Sequence, residues 1–200
     1  MASARAWVFT VFLLACLLAG PTDGWGSRRR RRRRTCPANT AALPGALNTW
    51  DATFTFECPW NKAISRIKSV HCNTAEDRVW RFECQDASGI SHLTQHYWTG
   101  WINDFDGGMG QNCPFNSVVT GFKSEHSNQH EDRRWKMKCS KKTGMVLHSC
   151  YTTGYVNSWD HAMDFTVPVH VSYYVTGMHG YHSNGAEDRL YQFRLCKVTP

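Results

Sequence analysis

The sequence predicts an all-β fold: a single disulfide-stapled domain of three related hairpin repeats around a pseudo-threefold axis. Three observations carry this expectation. The motif H-x-N-x-x-E-D-R-x-[WY]-x-[FM] occurs as "HCNTAEDRVWRF", "HSNQHEDRRWKM" and "HSNGAEDRLYQF", with its aspartate at Asp77, Asp132 and Asp188, spacings of 55 and 56 residues. Self-similarity at a fixed period is the mark of internal duplication. Apolar periodicity of helical length is absent beyond the first 26 residues, while Gly, Asn and Asp punctuate the chain. The cysteines are even in number once the N-terminal segment is set aside, as in a stapled extracellular domain.

That N-terminal segment reads as a signal. "WVFTVFLLACLLAG", residues 7–20, is an apolar run after Arg5 and before small and polar residues, the layout of a secretory h-region. It is too short and wrongly flanked for a membrane span. Residues 1–26 are therefore expected to be a signal peptide, cleaved within 20–26. The mature protein is then secreted, into the extracellular matrix or extracellular fluid.

Residues 27–49 form an arginine-rich arm around "RRRRRRR", residues 28–34. Removing Arg5, that run and Asp23 from the totals of 23 Lys plus Arg and 16 Asp plus Glu leaves 15 of each, so the +7 net charge belongs to the arm and the body is formally neutral. An uninterrupted arginine block cannot bury itself and is expected to be disordered. Three uses stand open: binding polyanions such as sulfated glycans, removal by a protease that cuts at basic sites, and a solvated spacer. A secreted chain rarely meets DNA or RNA, so nucleic acid is not an expected partner.

Of the nine cysteines, Cys16 lies in the signal, which leaves Cys36, Cys58, Cys72, Cys84, Cys113, Cys139, Cys150 and Cys196. These read as four disulfides, and the absence of any C-x-x-C spacing weakens zinc and redox readings. Alignment on the motif aspartate puts Cys58 and Cys113 in equivalent places, each 26 residues before the cysteine that ends its unit. This predicts Cys58–Cys84 and Cys113–Cys139, each worth about 3.5 kcal/mol in loop entropy. In the third unit Val169 stands where a cysteine is expected and Cys196 comes one residue late. Cys150, just upstream, is its natural partner, and Cys36 and Cys72 are left to each other by elimination.

The domain spans residues 50–200, with repeats at about 54–84, 109–139 and 165–196. "VWRFEC" and "RWKMKC" alternate, so Trp80 and Phe82, like Trp135 and Met137, share a face. The preceding segments "ISRIKSVH", "VTGFKSEH" and "VTGMHGYH" are also β-compatible, which makes each unit a hairpin with N-x-x-E-D at its tip. No such hairpin can bury its apolar face alone, and three sharing one core solve that problem.

Residues two apart in a strand share a face, which puts Arg78, Arg133 and Arg189 on the core side with Trp80, Trp135 and Tyr191. A core-facing arginine must be paired or stacked. Its adjacent carboxylates, Glu76 and Asp77, Glu131 and Asp132, Glu187 and Asp188, are the available partners, or caps for the backbone donors of the tip. For these residues the structural reading leads. For His71 and Asn73, His126 and Asn128, and His182 and Asn184 two readings stand level: a well-tied turn, or three polar tips that hydrogen-bond a sugar.

Metal binding is not expected, because the short spacings His92/His96, His126/His130 and His179/His182 place ligands together on a helix, and no helix is read there. Nor is catalysis, or a cofactor. No G-x-S-x-G, H-E-x-x-H or phosphate-cradling loop is present, and Asp104 and Asp106 fall in a glycine-rich stretch as turn residues. The connectors do offer Trp50, Trp98, Trp101 and Trp159, with "TWD" and "SWD" hinting that the connectors are related. Core packing is the leading reading, and an exposed Trp98 or Trp101 would be a glycan platform.

Three copies of D-R-x-[WY]-x-[FM] leading to a cysteine, "CP" at Cys58-Pro59 and Cys113-Pro114, and the displaced last cysteine resemble the dermatopontin family. The H-x-N-x-x-E-D-R form is similar to its invertebrate haemagglutinin and amoebocyte aggregation factors. The chain lacks the tyrosine-rich acidic N-terminal segment usual in vertebrate members and carries the arginine block instead. The resemblance implies a secreted, non-catalytic protein that binds proteoglycans, sulfated glycans or matrix proteins and promotes adhesion or aggregation, with a sugar-specific lectin as the alternative. It admits cell-surface glycans and further copies of the chain as partners.

Overall fold

The computed structural model describes residues 35–199. The apolar run at 7–20 and the arginine run at 28–34 lie outside the described residues. Among those described, no helix is long and apolar enough to cross a membrane.

The fold is all-β. Its strands are β1 (Phe54–Glu57), β2 (Lys62–Cys72), β3 (Asp77–Asp86), β4 (Gln95–Trp98), β5 (Met109–Asn112), β6 (Val118–Ser127), β7 (Asp132–Lys141), β8 (Val146–Thr152), β9 (Met163–Thr166), β10 (Tyr173–Ser183) and β11 (Asp188–Thr199). Each repeat is the expected antiparallel hairpin: β2 with β3, β6 with β7, and β10 with β11. Four residues close each one, ending on Glu76, Glu131 or Glu187 at φ 48°, 44° and 45°, a left-handed conformation sparsely populated by non-glycine residues. Each hairpin also slips register once, between Ile64 and Arg66, Val119 and Gly121, or Val175 and Gly177.

The short strands tie the repeats together. β1, which precedes the first hairpin, pairs with β6 of the second; β5 pairs with β10 of the third; β9 pairs back with β2 of the first. The sheets are therefore β3-β2-β9, β1-β6-β7-β4 and β5-β10-β11-β8, and the pairings close a cycle. Each hairpin gets an edge partner it could not supply itself, which favours folding as one unit over three independent ones.

Strand alternation delivers one side chain per repeat to the shared core. Trp80, Trp135 and Tyr191 are fully buried and meet edge to face, with ring centroids 4.7, 5.0 and 5.9 Å apart, a geometry aromatic rings prefer. Ile67, Phe122 and Met178 surround them. All four disulfides form as expected: Cys36–Cys72, Cys58–Cys84, Cys113–Cys139 and Cys150–Cys196.

Candidate functional site

The E-D-R motif builds the junction between repeats. Arg78 donates from Nε and Nη2 to the two carboxylate oxygens of Asp188, at 2.6 Å each. Arg133 does the same to Asp77 at 2.5 and 2.7 Å, and Arg189 to Asp132 at 3.1 and 2.5 Å. This corrects the expectation that each arginine pairs within its own motif. Asp77 and Arg78 are consecutive in a strand and point to opposite faces, so the aspartate reaches the neighbouring hairpin instead. All six groups are buried, and the pairing is bidentate, the strong form.

The connectors fasten this junction through a repeat that the sequence half concealed. Asn48, Asn103 and Asn157 each donate to the carbonyl of the motif arginine, Arg78, Arg133 or Arg189. Each accepts in return from the backbone N–H of Trp80, Trp135 or Tyr191. Three residues on, the N–H of Asp51, Asp106 or Asp160 donates to the motif aspartate. The shared pattern is N-x-[WF]-D, and Phe105 in place of tryptophan hid the middle copy.

His71, His126 and His182 are not at exposed tips. Each sits opposite the motif arginine in register, on the inward face, and its side chain is at most 1% exposed. Their Nδ1 atoms lie 3.5, 3.7 and 3.5 Å from carboxylates of Asp160, Asp51 and Asp106. Asn73, Asn128 and Asn184 are the exposed members of the tips. The cavity between the histidines, glutamates and arginines is about 20 Å³, room for roughly one water and none for a sugar. Glu131 faces it, and its carboxyl is raised above the usual range, first by burial and then by the charges of Glu76, Asp51 and Glu187, with His126 opposing.

Among the described residues three groups could hold a cation: Asp51, Asp77 and His126; His71, Asp160 and Asp188; Asp106, Asp132 and His182. In each, the motif aspartate already accepts two guanidinium N–H groups and a backbone N–H, which leaves few lone pairs for a metal.

The outward face of the β1-β6-β7-β4 sheet is different in kind. Lys123 and Lys136 are directly opposed across β6 and β7, an arrangement of like charges that destabilises a sheet. Among the described residues neither has a carboxylate within ion-pairing distance; Lys136 rests its ammonium 4.6 Å from the ring centre of Trp101, which Arg134 also covers at 4.2 Å. With Thr55, Glu57 and Trp98 the two lysines line a concavity of about 320 Å³. Trp98 is 36% exposed, and Glu57 is held by Lys138.

The other repeats neutralise the same place. In the first, Lys68 opposes Arg81, but Asp164 pairs with Lys68 at 3.6 Å and with Arg66 at 2.6 Å, and Glu83 pairs with Arg81 at 3.0 Å. The hydrogen bond from Arg66 holds the Asp164 carboxyl below its ordinary range. Thr55 occupies the position of Asp164 in the second repeat. In the third, the facing pair is His179 and Gln192, and burial lowers the basicity of His179. Two uncompensated cations beside an exposed indole are thus particular to the second repeat. Sequence reasoning picked out Trp98 and Trp101 but missed Lys123 and Lys136, because only the strand register brings them together.

Comparison with known proteins yields one family. The sequence profile of dermatopontin matches residues 48–200. The hemagglutinin/amebocyte aggregation factor of Limulus polyphemus is 37% identical over 154 residues, covering 76% of this chain and 87% of that protein. Dermatopontin of Biomphalaria glabrata is 34% identical over 152 residues, 76% of this chain and 99% of that protein. Millepora cytotoxin-1 of Millepora dichotoma is 34% identical over 158 residues, 79% of this chain and 69% of that protein. No solved structure matches the chain.

Proposed function

Because this chain belongs to the dermatopontin family, we propose that it is a secreted, non-enzymatic adhesion protein that binds anionic glycans, such as the sulfated chains of proteoglycans, on the outer face of its β1-β6-β7-β4 sheet. The observation that carries this reading is the Lys123–Lys136 pair, opposed in register and, among the described residues, without an ion-paired carboxylate, beside the exposed ring of Trp98. A sulfate or carboxylate seated between the ammonium groups relieves their repulsion, and the indole offers an apolar face to a sugar ring. Its relatives include a hemagglutinin and aggregation factor, in keeping with adhesion. The signal peptide at 1–26 and the arginine-rich arm at 27–49 belong to the same reading, with the arginines at 28–34 adding positive charge.

A second reading, a lectin for uncharged sugars, draws on Tyr155, Trp159 and Tyr181. These rings cluster on the third repeat, with centroids 5.7 and 5.4 Å from Tyr181, and both tyrosines are well exposed.

Heparin chromatography of three proteins separates arm from face: the full mature chain, the chain without residues 28–34, and the Lys123→Ser/Lys136→Ser variant. The proposal expects both changes to elute at lower salt than the parent, since each removes cations that displace counterions. Unchanged retention of the lysine variant, with neutral sugars competing for binding to the parent, would favour the lectin.

A further inference from the structure

Resting on that reading, we propose that the Lys123–Lys136 concavity is one half of a longer groove, and that its ligand is an extended anionic saccharide chain rather than a terminal sugar. The second half is formed by Trp60, His96 and Lys62.

The two halves share a wall. Glu57 lines both the first concavity and a second one of about 230 Å³ that also takes in Trp60, Lys62, His96 and Lys138. The Glu57–Lys138 ion pair stands where they meet. That pair spans two strand spacings, because Glu57 faces Gly121 and Gly121 faces Lys138 in register. A side chain at 121 would lie between them, and a Cβ there would come 2.5 Å from the carbonyl oxygen of Phe56. The first repeat fills the same position with Arg66, clamped by Asp164, which closes the equivalent floor.

One wall of the groove is aromatic along its length. Trp98 and His96 are two residues apart on β4 and share its outward face, about 6.6 Å from each other. The ring of Trp60 continues the line, 5.8 Å from that of His96, and it is 65% exposed. One sugar ring cannot cover this span; a chain of several can. The cations follow the same course: Lys123 and Lys136 in the first half, then Lys62, whose tie to Asp86 at 3.7 Å is with a carboxylate 89% exposed and is weak enough to yield to a ligand anion. Beside the sheet of the third hairpin, Phe115 of the second repeat stands exposed in the place of Trp60, with the Lys141 ammonium 5.2 Å from its ring centre, but the facing pair there is His179 and Gln192, so the counterpart of the Lys123–Lys136 half is missing.

The test is calorimetric titration of the full mature chain with heparin oligosaccharides from disaccharide to octasaccharide, repeated for Trp60→Ala and for Lys123→Ser/Lys136→Ser. All three proteins carry the same arginine arm, so differences among them report on the groove. The wild type is expected to bind longer chains progressively more tightly. Trp60→Ala is expected to weaken octasaccharide binding by about tenfold, as for loss of one stacking ring, and to leave disaccharide binding unchanged. The lysine variant is expected to weaken every length. If Trp60→Ala binds all lengths like the wild type while the lysine variant fails, the second subsite is overturned and the proposed function stands. If no length responds to the lysine variant, or an anionic peptide binds and the oligosaccharides do not, the proposed function falls with it. Hyaluronan oligosaccharides, which carry carboxylates without sulfates, run in parallel to identify which anion is read. Trp60 is exposed, and a melting temperature equal to wild type excludes misfolding.

Discussion

Arg133 on the second hairpin grips Asp77 on the first through two hydrogen bonds of 2.5 and 2.7 Å, with both side chains at most 3% exposed. The bond crosses a repeat boundary, and its two counterparts, Arg78 with Asp188 and Arg189 with Asp132, cross the others. Burying a charge is costly unless it is paired. The domain therefore depends on each repeat presenting both halves of the motif to different neighbours.

Arg133→Ala leaves the Asp77 carboxylate buried without its main partner. A loss of about 3 kcal/mol or more is expected, which in a domain of this size is roughly 6–12 °C in melting temperature. Differential scanning calorimetry measures it directly.

A double-mutant cycle tests which aspartate the arginine needs. Asp77→Ala and Arg133→Ala should be strongly coupled, because either change alone removes the same bond. Asp132→Ala and Arg133→Ala, neighbours in sequence, should couple less, since each breaks a different ion pair. Equal coupling would return the arginine to its own motif.

The tips divide into buried and exposed parts. His126→Ala removes a ring packed among Asp51, Asp77 and Glu131, and a loss of about 1–3 kcal/mol is expected. Asn184→Ala, on the exposed tip of the third hairpin, should stay within about 0.5 kcal/mol. Thermal melts of the two single variants separate them.

Glu131 gives stability a pH dependence of known sign. Its carboxyl is raised in the folded state, first by burial, and in addition by neighbouring carboxylates. Its contribution is therefore fully present below the unfolded carboxyl range and is lost as pH rises through the raised folded value. Glu131→Gln should leave acid stability unchanged and raise the melting temperature at neutral pH. A variant that melts lower than wild type at pH 7 would show that the ionised glutamate stabilises the fold.

Much of this was legible in the chain. The 55-residue spacing located three hairpins, and alignment on the aspartate chose Cys58–Cys84 and Cys113–Cys139, since a duplicated unit keeps its staples in place. Periodicity tells which face a residue occupies and says nothing about which neighbour that face meets. Periodicity thus places Arg133 inward, where it lies, but offers only the carboxylates of its own motif, whereas its partner is Asp77 of the neighbouring hairpin. The same limit put His126 at an exposed tip, though the register partner of a core-facing arginine must also face the core. Lys123 and Lys136, thirteen residues apart in sequence, look like two ordinary surface cations until β6 and β7 are paired.

The most direct test of the central claim, that the glycan is read by one sheet face rather than by three tips, is to map amide chemical shifts as a sulfated disaccharide is added to the isotopically labelled mature chain. Shifts should concentrate at Thr55, Trp98, Lys123 and Lys136, and Asn73, Asn128 and Asn184 should stay still. Movement at the three asparagines, with Lys123 and Lys136 unmoved, would contradict it.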